Sequence, residues 1–89
     1  NRRALSLIRE IKMTIAKITE TRFYDEYGGK KVALLEEGQE VKIVRSLTHG
    51  TTVNYLCKVV NPSETSKNHG VWEGMYVEVN PTLAKIFGD

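Results

Sequence analysis

This 89-residue chain contains a single cysteine and only two prolines. With Cys57 alone, no disulfide can close within the chain and a four-cysteine zinc site is excluded. Long apolar runs are also missing, and none approaches the ~20 residues of a membrane-spanning helix. Leu5, Leu7 and Ile8 follow a basic start, but Arg9, Glu10 and Lys12 interrupt them before a secretory core is reached. Both Asn-x-Ser/Thr patterns, at Asn61 and Asn80, are blocked by Pro62 and Pro81. These absences set the expectation of a soluble, cytoplasmic protein in a reducing compartment, with no membrane association.

A chain of this length is one domain, with room for a compact core and little interior for a deep substrate cleft. The net charge of +2 is unevenly spread. Residues 1–24 carry +4, through Arg2, Arg3, Arg9, Lys12, Lys17 and Arg22 against Glu10 and Glu20, and the remainder carries −2. A basic arm on a slightly acidic body bears on the choice of partner.

Over residues 2–12, Leu5, Ile8 and Ile11 recur at helical spacing, continued by Ile15 and Ile18. From Met13 onward β-branched residues dominate, and these prefer a pleated surface. The spacing predicts a helix or loose arm over 2–12 and a strand over 14–24. Met13-Thr14 resembles a translation start, so residues 1–12 are either a native arm or an appended segment. Tyr24-Asp25-Glu26-Tyr27-Gly28-Gly29-Lys30 reads as a turn, and residues 31–35 as a strand. After a turn at residues 36–39, residues 40–45 alternate polar and apolar, the pattern of a half-buried strand. Residues 48–51 turn again, and residues 53–60 make a strand. Residues 61–70 read as one long loop, and residues 71–79 as a strand that Gly74 can interrupt. Pro81 ends pairing, and residues 82–87 are expected to form a short helical turn. Short strands bounded by turn residues predict a mostly β barrel or sandwich.

Two stretches carry a resemblance to a known family. Val32-Ala33-Leu34-Leu35-Glu36-Glu37-Gly38-Gln39-Glu40-Val41-Lys42-Ile43-Val44 resembles the segment of Src-homology-3 domains in which a strand leaves the first long loop, reverses at a glycine and enters the central strand. Gly70-Val71-Trp72-Glu73-Gly74-Met75-Tyr76-Val77-Glu78-Val79 is similar to that family's closing segment, where an aromatic strand passes through a 3₁₀ turn into the last strand. Phe23-Tyr24-Asp25-Glu26-Tyr27 is a looser match to its opening A-L-Y-D-Y. The resemblance implies a five-stranded SH3-like barrel over residues 13–89, with a short N-terminal helix or arm over 1–12 and a short C-terminal helical turn. At the family's groove positions, Asn54 stands near the place of its tryptophan, Glu73 at its proline and Met75 at its asparagine. The resemblance thus implies the barrel better than it implies proline-rich peptide recognition.

Tyr24, Tyr27, Trp72 and Tyr76 are the candidate binding rings, with Asp25 and Glu26 beside them to attract a basic group. In the barrel frame the first loop lies beside the closing segment and these rings share a surface; the competing reading places Trp72 and one or two tyrosines in the core. Arg2, Arg3, Arg9, Lys12 and Lys17 can neutralise phosphates of a nucleic acid, or simply solvate a helix docked by its apolar side. No aromatic residue lies within that arm to stack on bases. His49, His69 and Cys57 have no zinc-ligand spacing, and Gly28-Gly29-Lys30 lacks the pattern of a phosphate loop, so no metal or cofactor is expected. Cys57 reads as a small core residue.

The expected function is a non-enzymatic protein-interaction module, or a small regulatory or accessory subunit, using Tyr24, Asp25, Glu26, Tyr27, Trp72 and Tyr76. The alternative is a nucleic-acid-binding accessory protein using the basic arm. A third possibility is an inhibitor or assembly subunit whose arm docks on a partner or on a second copy, leaving the oligomeric state open.

Overall fold

A computed structural model describes residues 14–86, which are mostly β. Seven antiparallel strands lie in one sheet: β1 (Thr14–Ile18), β2 (Arg22–Glu26), β3 (Val32–Leu35), β4 (Glu40–His49), β5 (Thr52–Val59), β6 (Tyr76–Val79) and β7 (Ala84–Ile86). One short helix, α1 (Glu64–Asn68), and a 3₁₀ turn at Pro81–Leu83 complete the described elements. The order across the sheet is β3-β2-β6-β5-β4-β1-β7, so β3 and β7 are its edges and the sheet is open. No helix among the described residues is long and apolar enough to cross a membrane.

The core lies on one face. Ala16 and Ile18 of β1, Tyr24 of β2, Ala33 and Leu35 of β3, Val41 of β4, Cys57 and Val59 of β5, and Val77 and Val79 of β6 are buried together with Val71, Met75 and Ala84. Each strand contributes alternate residues, because successive side chains point to opposite faces. Replacing Leu35 by alanine is expected to cost ~2–5 kcal/mol, the range for a fully buried Leu.

The expected strand over 14–24 is two strands. Residues 19–21 break it, with Thr19 N donating to the Leu83 carbonyl and Thr21 Oγ1 accepting from Glu37 N. The break lets β1 pair with β4 and β7 while β2 crosses to β3 and β6. The expected loop over 61–70 contains α1. Ser63 caps it by accepting from Ser66 N, and Ser66 Oγ donates to the Leu34 carbonyl at 2.6 Å, which ties the helix to edge strand β3. Only Tyr76–Val79 of residues 71–79 is strand, since the chain turns at residues 72–75 with Gly74 at φ 91°. The 3₁₀ turn that the resemblance placed inside residues 70–79 comes later, at Pro81–Leu83, where Asn80 Oδ1 accepts from Thr82 N. The helical turn expected over 82–87 is therefore one 3₁₀ turn followed by β7, which pairs with β1 through Ala16↔Ile86, Lys17↔Lys85 and Ile18↔Ala84. The helix expected over 2–12 lies outside the described residues.

β4 and β5 form a long hairpin closed by the two residues Gly50 and Thr51. Gly50 has φ 65°, and glycine in the first central position is what a type II′ turn requires. A bulge at Val44 interrupts the pairing between Ile43↔Cys57 and Arg45↔Leu56. It turns Arg45 and Leu47 to the outer face, opposite to that of Val41 and Ile43.

Candidate functional site

The outer face of the sheet is where the exposed chemistry gathers. The β2–β6 register sets Asp25 opposite Glu78, and Tyr27 N extends the ladder by donating to the Tyr76 carbonyl at 2.9 Å. Tyr27 and Tyr76 thus stand opposite one another, each 40% exposed. The next strands add Leu56 opposite Glu78, Lys58 opposite Tyr76, and Arg45 opposite Leu56. Leu56 and Cys57 are consecutive and both buried, so β5 is covered on its outer face as well as its core face. Leu47 is buried on the same outer face. Arg45 Nη2 reaches the Tyr27 hydroxyl at 3.5 Å, a path from β4 to β2 that passes over β5 and β6.

Glu78 is the hub of this face. Its Oε1 accepts from Asn54 Nδ2 at 3.5 Å and lies 3.1 Å from His49 Nε2. These contacts join the tip of the β4–β5 hairpin to β6. Asp25, directly across on β2, has no such partner among the described residues and is exposed. Two carboxylates directly opposed across an antiparallel pair repel each other, and that cost is relieved by a cation. The site combines an apolar floor at Leu56, two phenol rings, a carboxylate pair and a guanidinium.

Of the six residues expected to bind a partner, Asp25, Tyr27 and Tyr76 converge here. Tyr24 is in the core, and its hydroxyl donates to the Glu20 carbonyl at 2.6 Å. Burial pushes its phenol above its ordinary value, with the Arg22 charge opposing and Glu20 adding. Glu26 stands opposite Val77 on the core side of the sheet, with its carboxylate folded against Gly29. Trp72 is 51% exposed in the turn before β6. Among the described residues no ring contact joins it to Tyr76, and the ring pair present is Phe23 with His69, edge-on at 6.4 Å.

Glu78, Asn54, His49, Arg45 and Leu56 are members that sequence reasoning missed. One signal was available: Tyr55-Leu56-Cys57 is apolar at three successive positions, which marks a strand covered on both faces. Lys17, on β1, is the one member of the expected basic set that is described; Arg2, Arg3, Arg9 and Lys12 lie outside the described residues.

Cys57 is fully buried, and burial pushes its thiol up to about 12, which opposes thiolate formation. His69 Nδ1 contacts the Thr65 carbonyl at 2.9 Å. No group of three His, Cys, Asp or Glu suited to a metal occurs among the described residues. An open cavity of about 410 Å³ lies between residues 36–40 and Val60, Asn61 and Ser63. The Gln39 amide at its wall is committed to the carbonyls of Glu40, Val60 and Asn61.

No family model, no curated protein and no solved structure matches this chain.

Proposed function

We propose that this domain is a non-enzymatic interaction module that binds a partner protein through the outer face of β2, β6, β5 and β4. One observation carries the reading: Asp25 and Glu78 are opposed on a face where Tyr27 and Tyr76 stand exposed side by side. A basic side chain from a partner relieves the repulsion of the carboxylates, and the phenol rings supply flat apolar area with polar tips. Trp72 extends the exposed aromatic surface on the chain leading into β6.

The fold we infer is an SH3-like barrel, with β7-β1-β4-β5-β6 as its five-stranded frame and the β2–β3 hairpin as its first long loop. Support comes from the unbroken neighbour order of those five strands and from the 3₁₀ turn that leads β6 into β7. In that frame Asn54 occupies the neighbourhood of the family's groove tryptophan, and its amide is directed to Glu78. The ligand is accordingly a basic segment rather than an ordinary proline-rich one. A cytoplasmic regulatory or accessory role belongs to the same reading.

Selection from a random peptide library tests it. The full chain should enrich peptides bearing Lys or Arg beside apolar residues. Asp25→Ala and Tyr76→Ala should each weaken the selected peptide by about tenfold, roughly 1.4 kcal/mol, with unchanged circular dichroism. Unchanged affinity in both folded variants would overturn the proposal.

A further inference from the structure

Lysines gather on the strands of the outer face beyond β6. Lys17 on β1 stands directly opposite Lys85 on β7, and Lys42 on β4 stands directly opposite Lys58 on β5. Ile15 is opposite Lys42, so the two pairs share one face, the one turned away from Ala16, Ile18, Val41 and Val59. The row continues past Lys58 to Tyr76 and Tyr27, which places two lysines and two phenol rings in one line across four strands. Glu40, opposite Lys17, is the acid within this part of the face. Lys42, Lys58 and Lys85 have no acidic side chain within ion-pair distance among the described residues.

Like charges placed directly opposite in a sheet are destabilising, and Lys42 and Lys58 are so placed with no acidic side chain to offset them among the described residues. A negatively charged ligand removes that cost. Strands lie about 4.8 Å apart, so the four lysine-bearing strands span about 14 Å, a track for a chain of phosphates rather than a single anion. The ring at the end of the lysine row decides between polyanions. Aromatic side chains beside a positive track are what single-stranded nucleic-acid binders use, since each unpaired base offers a face for stacking.

We propose that the outer face of the sheet from β7 across β4 and β5 to β6 binds single-stranded nucleic acid, with phosphates on Lys85, Lys42 and Lys58 and a base stacked on Tyr76. This goes beyond the interaction-module reading and rests on different charged residues. It also moves the nucleic-acid surface from the N-terminal arm to the sheet.

Fluorescence anisotropy of the full chain with a labelled oligothymidylate of about 20 nucleotides, longer than the ~4–16-nucleotide sites of comparable binders, is the test. Three phosphate contacts give a slope of log affinity against log salt of about −2.1, and Lys42→Glu with Lys58→Glu should lessen it by about 1.4. Affinity should fall more than tenfold in that double variant and in Lys42→Gln with Lys58→Gln, and by about tenfold in Tyr76→Ala. Lys42→Arg with Lys58→Arg should bind as the parent does. Asp25→Ala should leave oligothymidylate binding in place, which separates this surface from the peptide-binding one. The proposal is overturned if both double variants keep full affinity while folded. Loss of binding only when Arg2, Arg3, Arg9 and Lys12 are replaced would also overturn it. So would binding to phosphatidylserine vesicles without any binding to oligothymidylate.

Discussion

Cys57 shows how burial alone sets the chemistry of a residue. It stands on β5 between Ile43 of β4 and Val77 of β6, wholly excluded from water, and its thiol is pushed up to about 12 by desolvation. The folded thiol keeps its proton over a range where the unfolded thiol, with its ordinary value of 9.0, has lost it. Stability from this group is therefore intact below pH 9.0 and falls as pH rises towards about 12, at about 1.4 kcal/mol per pH unit. Denaturant titrations across that alkaline range should show the decline, and Cys57→Ala should flatten it. A thiol reagent at pH 8 should leave native Cys57 untouched and label it rapidly once the chain is unfolded. Tyr24 acts in the same direction, since burial raises its phenol too. The separation of Tyr24 from Tyr27 was not legible in the sequence. Phe23, Asp25 and Tyr27 lie on one side of the chain and Tyr24 and Glu26 on the other, and each set contains an aromatic and an acid. Only pairing with β3 and β6 decides which side is core.

At the scale of elements, the start of β4 was readable because residues 40–45 alternate, β5 because it is rich in β-branched and aromatic residues, and the turn between them because Gly50 supplies the positive φ that the hairpin needs. The bulge at Val44 was not readable. It reverses which residues face the core, so a period of two fitted through residues 40–49 misplaces Arg45 and Leu47. Helix α1 escaped because a five-residue helix has no room for apolar periodicity, and its anchor is the polar Ser66. Ser66→Ala leaves the Leu34 carbonyl without its buried donor and should cost about 1–3 kcal/mol, measurable by urea denaturation. The opposed carboxylates give an expectation of the reverse sign. Asp25→Asn should raise stability by a few tenths up to about 1 kcal/mol while weakening a basic peptide, a combination that a purely structural aspartate would not produce.

At the scale of the molecule, the open sheet presents an outer face divided by charge. Asp25 and Glu78 lie on β2 and β6 beside Tyr27 and Tyr76, and Lys58, Lys42, Lys17 and Lys85 follow on β5, β4, β1 and β7. The mostly β class was legible from strand and turn residues, but this division was not, because it depends on the register of strands far apart in sequence. Lys42 and Lys58 meet across a hairpin, whereas Lys17 and Lys85 meet only when the last strand returns to the first. Docking of a basic partner on the face holding Asp25, Glu78, Tyr27 and Tyr76 is tested most directly by backbone amide chemical shifts of the full chain, followed while a selected basic peptide is titrated in. Saturating shifts at Asp25, Tyr27, Asn54, Tyr76 and Glu78 are the predicted result. Shifts confined to β3, α1 or the cavity beside Gln39, with those five amides unmoved at saturation, would contradict it.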